Sequence, residues 1–209
     1  MPQYLYFLIA CTGCSLVFAY KSKEKLSKIS ACFFLILFIV EYICYRLPVT
    51  DGIYNFWYPI EFGFYSFFIY KYISFKNKNS LLIFPLVCLI YCYFYIFFHV
   101  KLINTFFTFG YSICCSSLFI FVIVKVYELL TDDDDLRFPF QIPLFWFLLG
   151  VILNLTSFLI FGMKNYILTH NFNLYTTTLQ YANQIISSLQ YICFILYFYC
   201  SWKYQNWSL

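Results

Sequence analysis

Charge is what this chain has least of. Charged residues make up 11% of its 209 residues, against 63% apolar. An average soluble domain carries about 25% charged residues. A soluble fold of this length could not hide so much apolar surface, whereas a bilayer makes lipid the solvent. Histidine is nearly absent as well, with two in the chain. That excludes HExxH and leaves His99 and His170 too few and too far apart for a membrane zinc hydrolase. GxSxG, Walker and GxGxxG motifs are missing, and no Ser stands with a nearby His. The last apolar run holds no lysine to anchor a retinal Schiff base. Basic residues are not interleaved with aromatics on a soluble face, so nucleic-acid binding has no support. No cofactor is called for.

What is present is apolar length. Seven runs stand out: Tyr4–Tyr20, Ser30–Arg46, Tyr54–Ile73, Leu81–His99, Thr105–Leu130, Pro139–Gly162 and Tyr175–Ser201. They are 17 to 27 residues long. A helix needs about 20 residues to cross roughly 30 Å of hydrocarbon. Strands would leave backbone groups unpaired in lipid, and alternating barrel segments are not seen. The expectation is an all-α membrane protein of seven transmembrane helices, forming a single domain over residues 1–209. The first run has its basic cluster after it, not before, so it reads as a retained helix and not as a signal peptide.

The cations orient the chain. Lys21, Lys23, Lys25, Lys28, Lys71, Lys76, Lys78, Lys125, Arg137 and Lys203 fall on one side under this topology. Arg46, Lys101 and Lys164 fall on the other. Basic residues mark the cytoplasmic side. The C-terminus is therefore expected in the cytoplasm and the N-terminus outside, which requires an odd number of spans.

Polar groups inside spans are costly and mark candidate sites. Glu41 and Glu61 lie on sequential spans, each roughly 7–11 Å below the outer surface at 1.5 Å per residue. Arg46 is the nearest candidate cation. Tyr54, Tyr58, Glu61 and Tyr65 share one helical face, and Pro59 frees a backbone carbonyl near that level. Gly150, Asn154 and Ser157 share a face of the sixth span. Gln180, Asn183 or Gln184, Ser187 and Tyr191 share a face of the seventh. The expectation is an outward-facing pocket for a ligand or ion, drawn from Glu41, Glu61, Arg46, Tyr58, Asn154 and Asn183. The competing reading is interhelical hydrogen bonding that glues the helices together.

Ten cysteines, Cys11-x-x-Cys14 and the Cys88/Cys92 pair among them, read as small buried apolar residues, because four convergent zinc ligands are lacking. Asp132, Asp133, Asp134 and Asp135 form the one acidic run. It lacks the pattern of a calcium loop. Its readings are a solvated loop, a docking point for a cytoplasmic partner, and binding of a divalent cation.

Several stretches resemble a known family. They are LYFLIA (residues 5–10), YNFWYPIEFGFYSFFIYKYI (54–73), GYSICCSSLFIFVIVKVYELL (110–130), and Phe145-Trp146 with Gly150. The family is a group of small, seven-helix bacterial inner-membrane proteins of unassigned activity. The same stretches are similar to the membrane sensor halves of some histidine kinases. The resemblance implies a multi-pass protein of the bacterial inner membrane and adds weight to Glu61. The first functional expectation is a sensory or interaction module with an outward pocket, acting through a cytoplasmic partner. The second is a small transporter or channel, forming a homo-oligomer. The third is an effector or scaffold of a multi-protein system, defence systems included. An intramembrane acid–base enzyme using both glutamates ranks last.

Overall fold

The computed structural model describes residues 2–21, 25–47, 51–73, 78–98, 108–131, 142–169 and 173–203. These form seven helices: α1 (Gln3–Lys21), α2 (Lys25–Arg46), α3 (Asp51–Tyr72), α4 (Lys78–Phe98), α5 (Thr108–Thr131), α6 (Pro143–Thr169) and α7 (Asn173–Lys203). Each overlaps one apolar run of the sequence. α2 begins five residues before its run and α6 ends seven residues after its own, where backbone hydrogen bonding continues past the apolar stretch, whereas Ile73 and Ile142 lie in their runs but outside α3 and α6. Lys25 and Lys28, expected in a loop, sit in the first turn of α2. Lys125, counted with the fifth loop, lies within α5, where it is buried and pairs with Glu128 at 2.9 Å. Pro143 opens α6, where a missing N–H costs nothing. The acidic run 132–135 lies outside the described residues.

Among the described residues, four helical stretches are long and apolar enough to cross a membrane: Gln3–Lys21, Lys25–Arg46, Gly110–Leu129 and Thr177–Lys203. Shorter apolar stretches, Leu82–Phe98 and Pro143–Ser157, lie in α4 and α6. On α3, Asn55, Glu61 and repeated tyrosines dilute the apolar character. The outer face of α4 is strongly apolar, with Ile83, Val87, Ile90, Phe94 and Phe97 all exposed. That face suits hydrocarbon and not water.

The helices group into two compact units, residues 1–45 with 137–209 and residues 46–136. The first unit holds α1, α2, α6 and α7. Its centre is aromatic: Phe34 of α2 meets Phe194 at 4.9 Å and Phe198 at 5.6 Å, and Phe147 of α6 meets Phe194 at 5.6 Å and Tyr197 at 5.4 Å. Gly150 is what lets α6 approach α7. A Cβ placed there would stand 2.7 Å from Cε1 of Phe194, a ring wedged between Phe34 and Phe147. α1 runs antiparallel to α2, since Tyr4 reaches Glu41 and Thr12 reaches the Phe34 carbonyl. Phe18 stacks on Trp202 at 5.5 Å, with Lys21 Nζ above the same indole at 5.3 Å. Lys21, Lys25 and Lys203 therefore share one end of this unit.

The second unit holds α3, α4 and α5, each packed on the other two. Tyr111 of α5 meets Tyr58 at 4.9 Å and Phe62 at 5.5 Å. Gly63 admits Leu89 of α4, whose Cδ1 would lie 3.2 Å from an added Cβ. Pro59 offers no N–H to the Asn55 carbonyl. One residue on, the Phe56 carbonyl accepts from the Tyr93 hydroxyl at 3.0 Å, which ties α4 to α3 beside the proline.

Replacing Gly150 with Ala should displace the Phe194 ring and cost about 1–3 kcal/mol. The check is the thermal unfolding midpoint of the purified protein in detergent. An unchanged midpoint would show that the ring yields freely.

Candidate functional site

The six residues expected to share a pocket are divided between the two units. Glu41, Asn154 and Asn183 belong to the first, and Arg46, Tyr58 and Glu61 to the second.

In the first unit, Glu41 is half-buried on α2, and its Oε2 accepts from the Tyr4 hydroxyl at 3.1 Å. The antiparallel course of α1 and α2 explains the pairing, because Tyr4 and Glu41 stand at nearly equal distances from Lys21 and Lys25, the facing ends of the two helices. A phenol is a suitable partner for a carboxyl group away from water, since its O–H satisfies one lone pair and its ring remains apolar. Deeper in the same unit a polar seam joins α6 to α7. Ser157 Oγ donates to Asn183 Oδ1, and the Ser157 and Ser187 hydroxyls stand 3.3 Å apart. Asn154, one turn along α6, is 4% exposed. The seam stops at Gly150, where Phe194 closes the space. It lies in the half of the unit away from Lys21, Lys25 and Lys203.

Other hydroxyls in this unit serve packing. Thr12 donates to the Leu8 carbonyl at 2.8 Å, Ser15 to Thr12, Ser30 to Leu26 and Ser188 to Gln184. Small residues whose hydroxyls fold back on their own helix let helices approach closely. They build no polar path.

In the second unit, Glu61 is the buried carboxyl group, 5% exposed, with Asn55 at 4% one and a half turns away on α3. Tyr54 and Tyr58 stack at 5.1 Å with planes 10° apart, as their spacing of four residues requires. Tyr111 and Cys115 of α5 lie within electrostatic reach of the Glu61 carboxyl. Asn55, Tyr58, Pro59, Cys92, Gly110, Tyr111 and Cys114 line a cleft between the three helices with room for roughly one water molecule. The cleft is lined by an amide and two phenols within an apolar wall, with the Glu61 carboxyl on α3 but outside that lining. It can hold a small group that donates hydrogen bonds or carries positive charge. Arg46 is exposed at the C-terminal end of α2.

Sequence reasoning missed Tyr4 and Tyr111. Both look like ordinary membrane aromatics among 22 tyrosines. Tyr4 could have been found by matching distances along α1 and α2 from their facing ends. Tyr111 could not, because the α3–α5 contact is not local. Among the described residues, no group of three or more His, Cys, Asp or Glu can hold a metal ion.

Comparison of the chain with protein-family models, with curated proteins and with solved structures finds no match.

Two hydrogen-bond tests follow from this geometry. Tyr4→Phe removes the Glu41 partner and should lower stability by about 0.5–1.5 kcal/mol, read as the unfolding midpoint in detergent. A double-mutant cycle on Ser157→Ala and Asn183→Ala should give a coupling of about 0.6 kcal/mol, the usual value between membrane helices. Zero coupling would remove the seam from the forces joining α6 to α7.

Proposed function

We propose that this chain is a multi-pass protein of the bacterial inner membrane that crosses the bilayer seven times. Its N-terminus lies outside and its C-terminus in the cytoplasm. It acts as a sensory or interaction module, binding a small ligand through its buried polar layer and reporting to a cytoplasmic protein partner. The orientation rests on the distribution of cations, supported by the gathering of Lys21, Lys25 and Lys203 at one end of the first unit.

The observation that carries the sensory reading is Glu61. A carboxyl group in a transmembrane helix costs several kcal/mol unless something compensates it. This one lies one turn from Tyr58 on α3, within electrostatic reach of Tyr111, on the helix that walls the cleft through Asn55, Tyr58 and Pro59. Packing alone needs no carboxyl group there, since a glutamine or leucine would fill the same volume. The chemistry suits a small cation or a strong hydrogen-bond donor. Transport fits less well, because the seam of the first unit ends against Phe194 and Phe147, and the hydroxyls of Thr12, Ser15, Ser30 and Ser188 bond to backbone carbonyls.

Glu61→Gln decides the matter. Purified protein is screened for thermal shift against ammonium and small inorganic cations. A bound ligand at one hundred times its Kd should stabilise the wild type by about 2.7 kcal/mol. The variant should keep its helical circular dichroism and lose the shift. A shift that survives in the variant would refute the role of Glu61.

A further inference from the structure

The second unit contains a feature that the ligand reading does not use. Cys92 of α4 and Cys114 of α5 face each other with their sulfurs 3.7 Å apart. Both are buried, at 1% and 3% exposure, and both are thiols. Cys92 donates its S–H to the Gly110 carbonyl at 3.4 Å. Cys114 is therefore the donor of the thiol–thiol contact, and the Cys92 sulfur is the acceptor. The order Cys114 S–H to Cys92 S–H to Gly110 O sets up one sulfur as electron donor and places the other against it. Both line the cleft beneath Tyr58 and Tyr111, which offers a small uncharged molecule a way in.

We propose that Cys92 and Cys114 form a reversible disulfide in response to a small peroxide, stapling α4 to α5 beside the Glu61 layer. The chemistry balances with hydrogen peroxide as the oxidant. The Cys92 sulfur attacks one peroxide oxygen, the O–O bond breaks, and the departing oxygen takes the Cys92 proton and leaves as water. Cys92 is now a sulfenic acid. The Cys114 sulfur attacks the Cys92 sulfur, the S–O bond breaks, and the hydroxyl leaves as a second water with the Cys114 proton. Two thiols are oxidised by two electrons, and one peroxide is reduced to two waters.

Geometry favours this pair over the others. A disulfide needs sulfurs about 2.05 Å apart, so each sulfur must move by less than 1 Å. Cys88 precedes Cys92 by one turn and lines a second cleft that Cys114 also borders, but it is the Cys92 sulfur that stands 3.7 Å from that of Cys114. Cys11 and Cys14 stand on one helix, where the first is buried and the second half-exposed. The bridge would join residues 22 apart in sequence and hold α5 at the level of Tyr111, which touches Tyr58 and Phe62. The inference does not rest on the ligand reading, and its test involves no ligand.

The full chain is reconstituted in liposomes, treated with hydrogen peroxide, denatured, alkylated and mapped by mass spectrometry. The expected product is a peptide cross-linked through Cys92 and Cys114, lost on treatment with dithiothreitol. The unfolding midpoint should rise by roughly 5 °C on oxidation and return on reduction. Cys92→Ser and Cys114→Ser should each abolish both effects, while Cys11→Ser should keep them. The proposal fails if both residues stay alkylatable after oxidation, if they oxidise irreversibly without a cross-link, or if either pairs with another cysteine.

Discussion

Hydrocarbon offers a peptide group no hydrogen-bond partner, and the structure is arranged around that constraint. Each apolar run must satisfy its own N–H and C=O groups, so each becomes a helix. The hydroxyls of Thr12, Ser15, Ser30 and Ser188 obey the same constraint by turning onto backbone carbonyls. Where the ladder is broken, as at Pro59, a neighbouring helix intervenes, with Tyr93 bonding to Phe56.

With lipid outside and apolar side chains inside, burial of apolar surface does little to draw helices together. Close contact takes over. Gly150 against Phe194 and Gly63 against Leu89 are points of close contact, and interlocked rings spread from the first of them. This explains why a chain with so many aromatics still depends on a few of its six glycines. The polar contacts, Tyr4 with Glu41 and Ser157 with Asn183, then fix which helix faces meet.

Much of this was legible in the chain. Each of the seven helices overlaps one apolar run, and four of them contain a stretch long and apolar enough to cross a membrane. The shared face of Tyr54, Tyr58 and Glu61 follows from helical periodicity, and the stacked tyrosines agree with it. The alternative reading of polar residues as interhelical glue is seen in the Ser157–Asn183 seam. Helix ends were less legible: Lys25 and Lys28 continue α2 beyond its apolar part, because a lysine is a good helix former and needs only water at its tip. The burial of Lys125 was not legible, since its pairing with Glu128 depends on what α5 packs against.

The sequence by itself determined that the chain is helical and apolar, where its helices lie, and that Glu41 and Glu61 are its costly residues. Those properties are local, set by each residue's transfer energy and a period of 3.6. Only the tertiary structure decided the partners: Tyr4 for Glu41, Tyr111 near Glu61, Asn183 for Ser157 and Cys114 for Cys92. It also decided that α3, α4 and α5 form one unit and α1, α2, α6 and α7 another. Pairing depends on which faces pack and at what depth, and lipid-like side chains around the whole circumference of a helix leave that choice open until the helices meet.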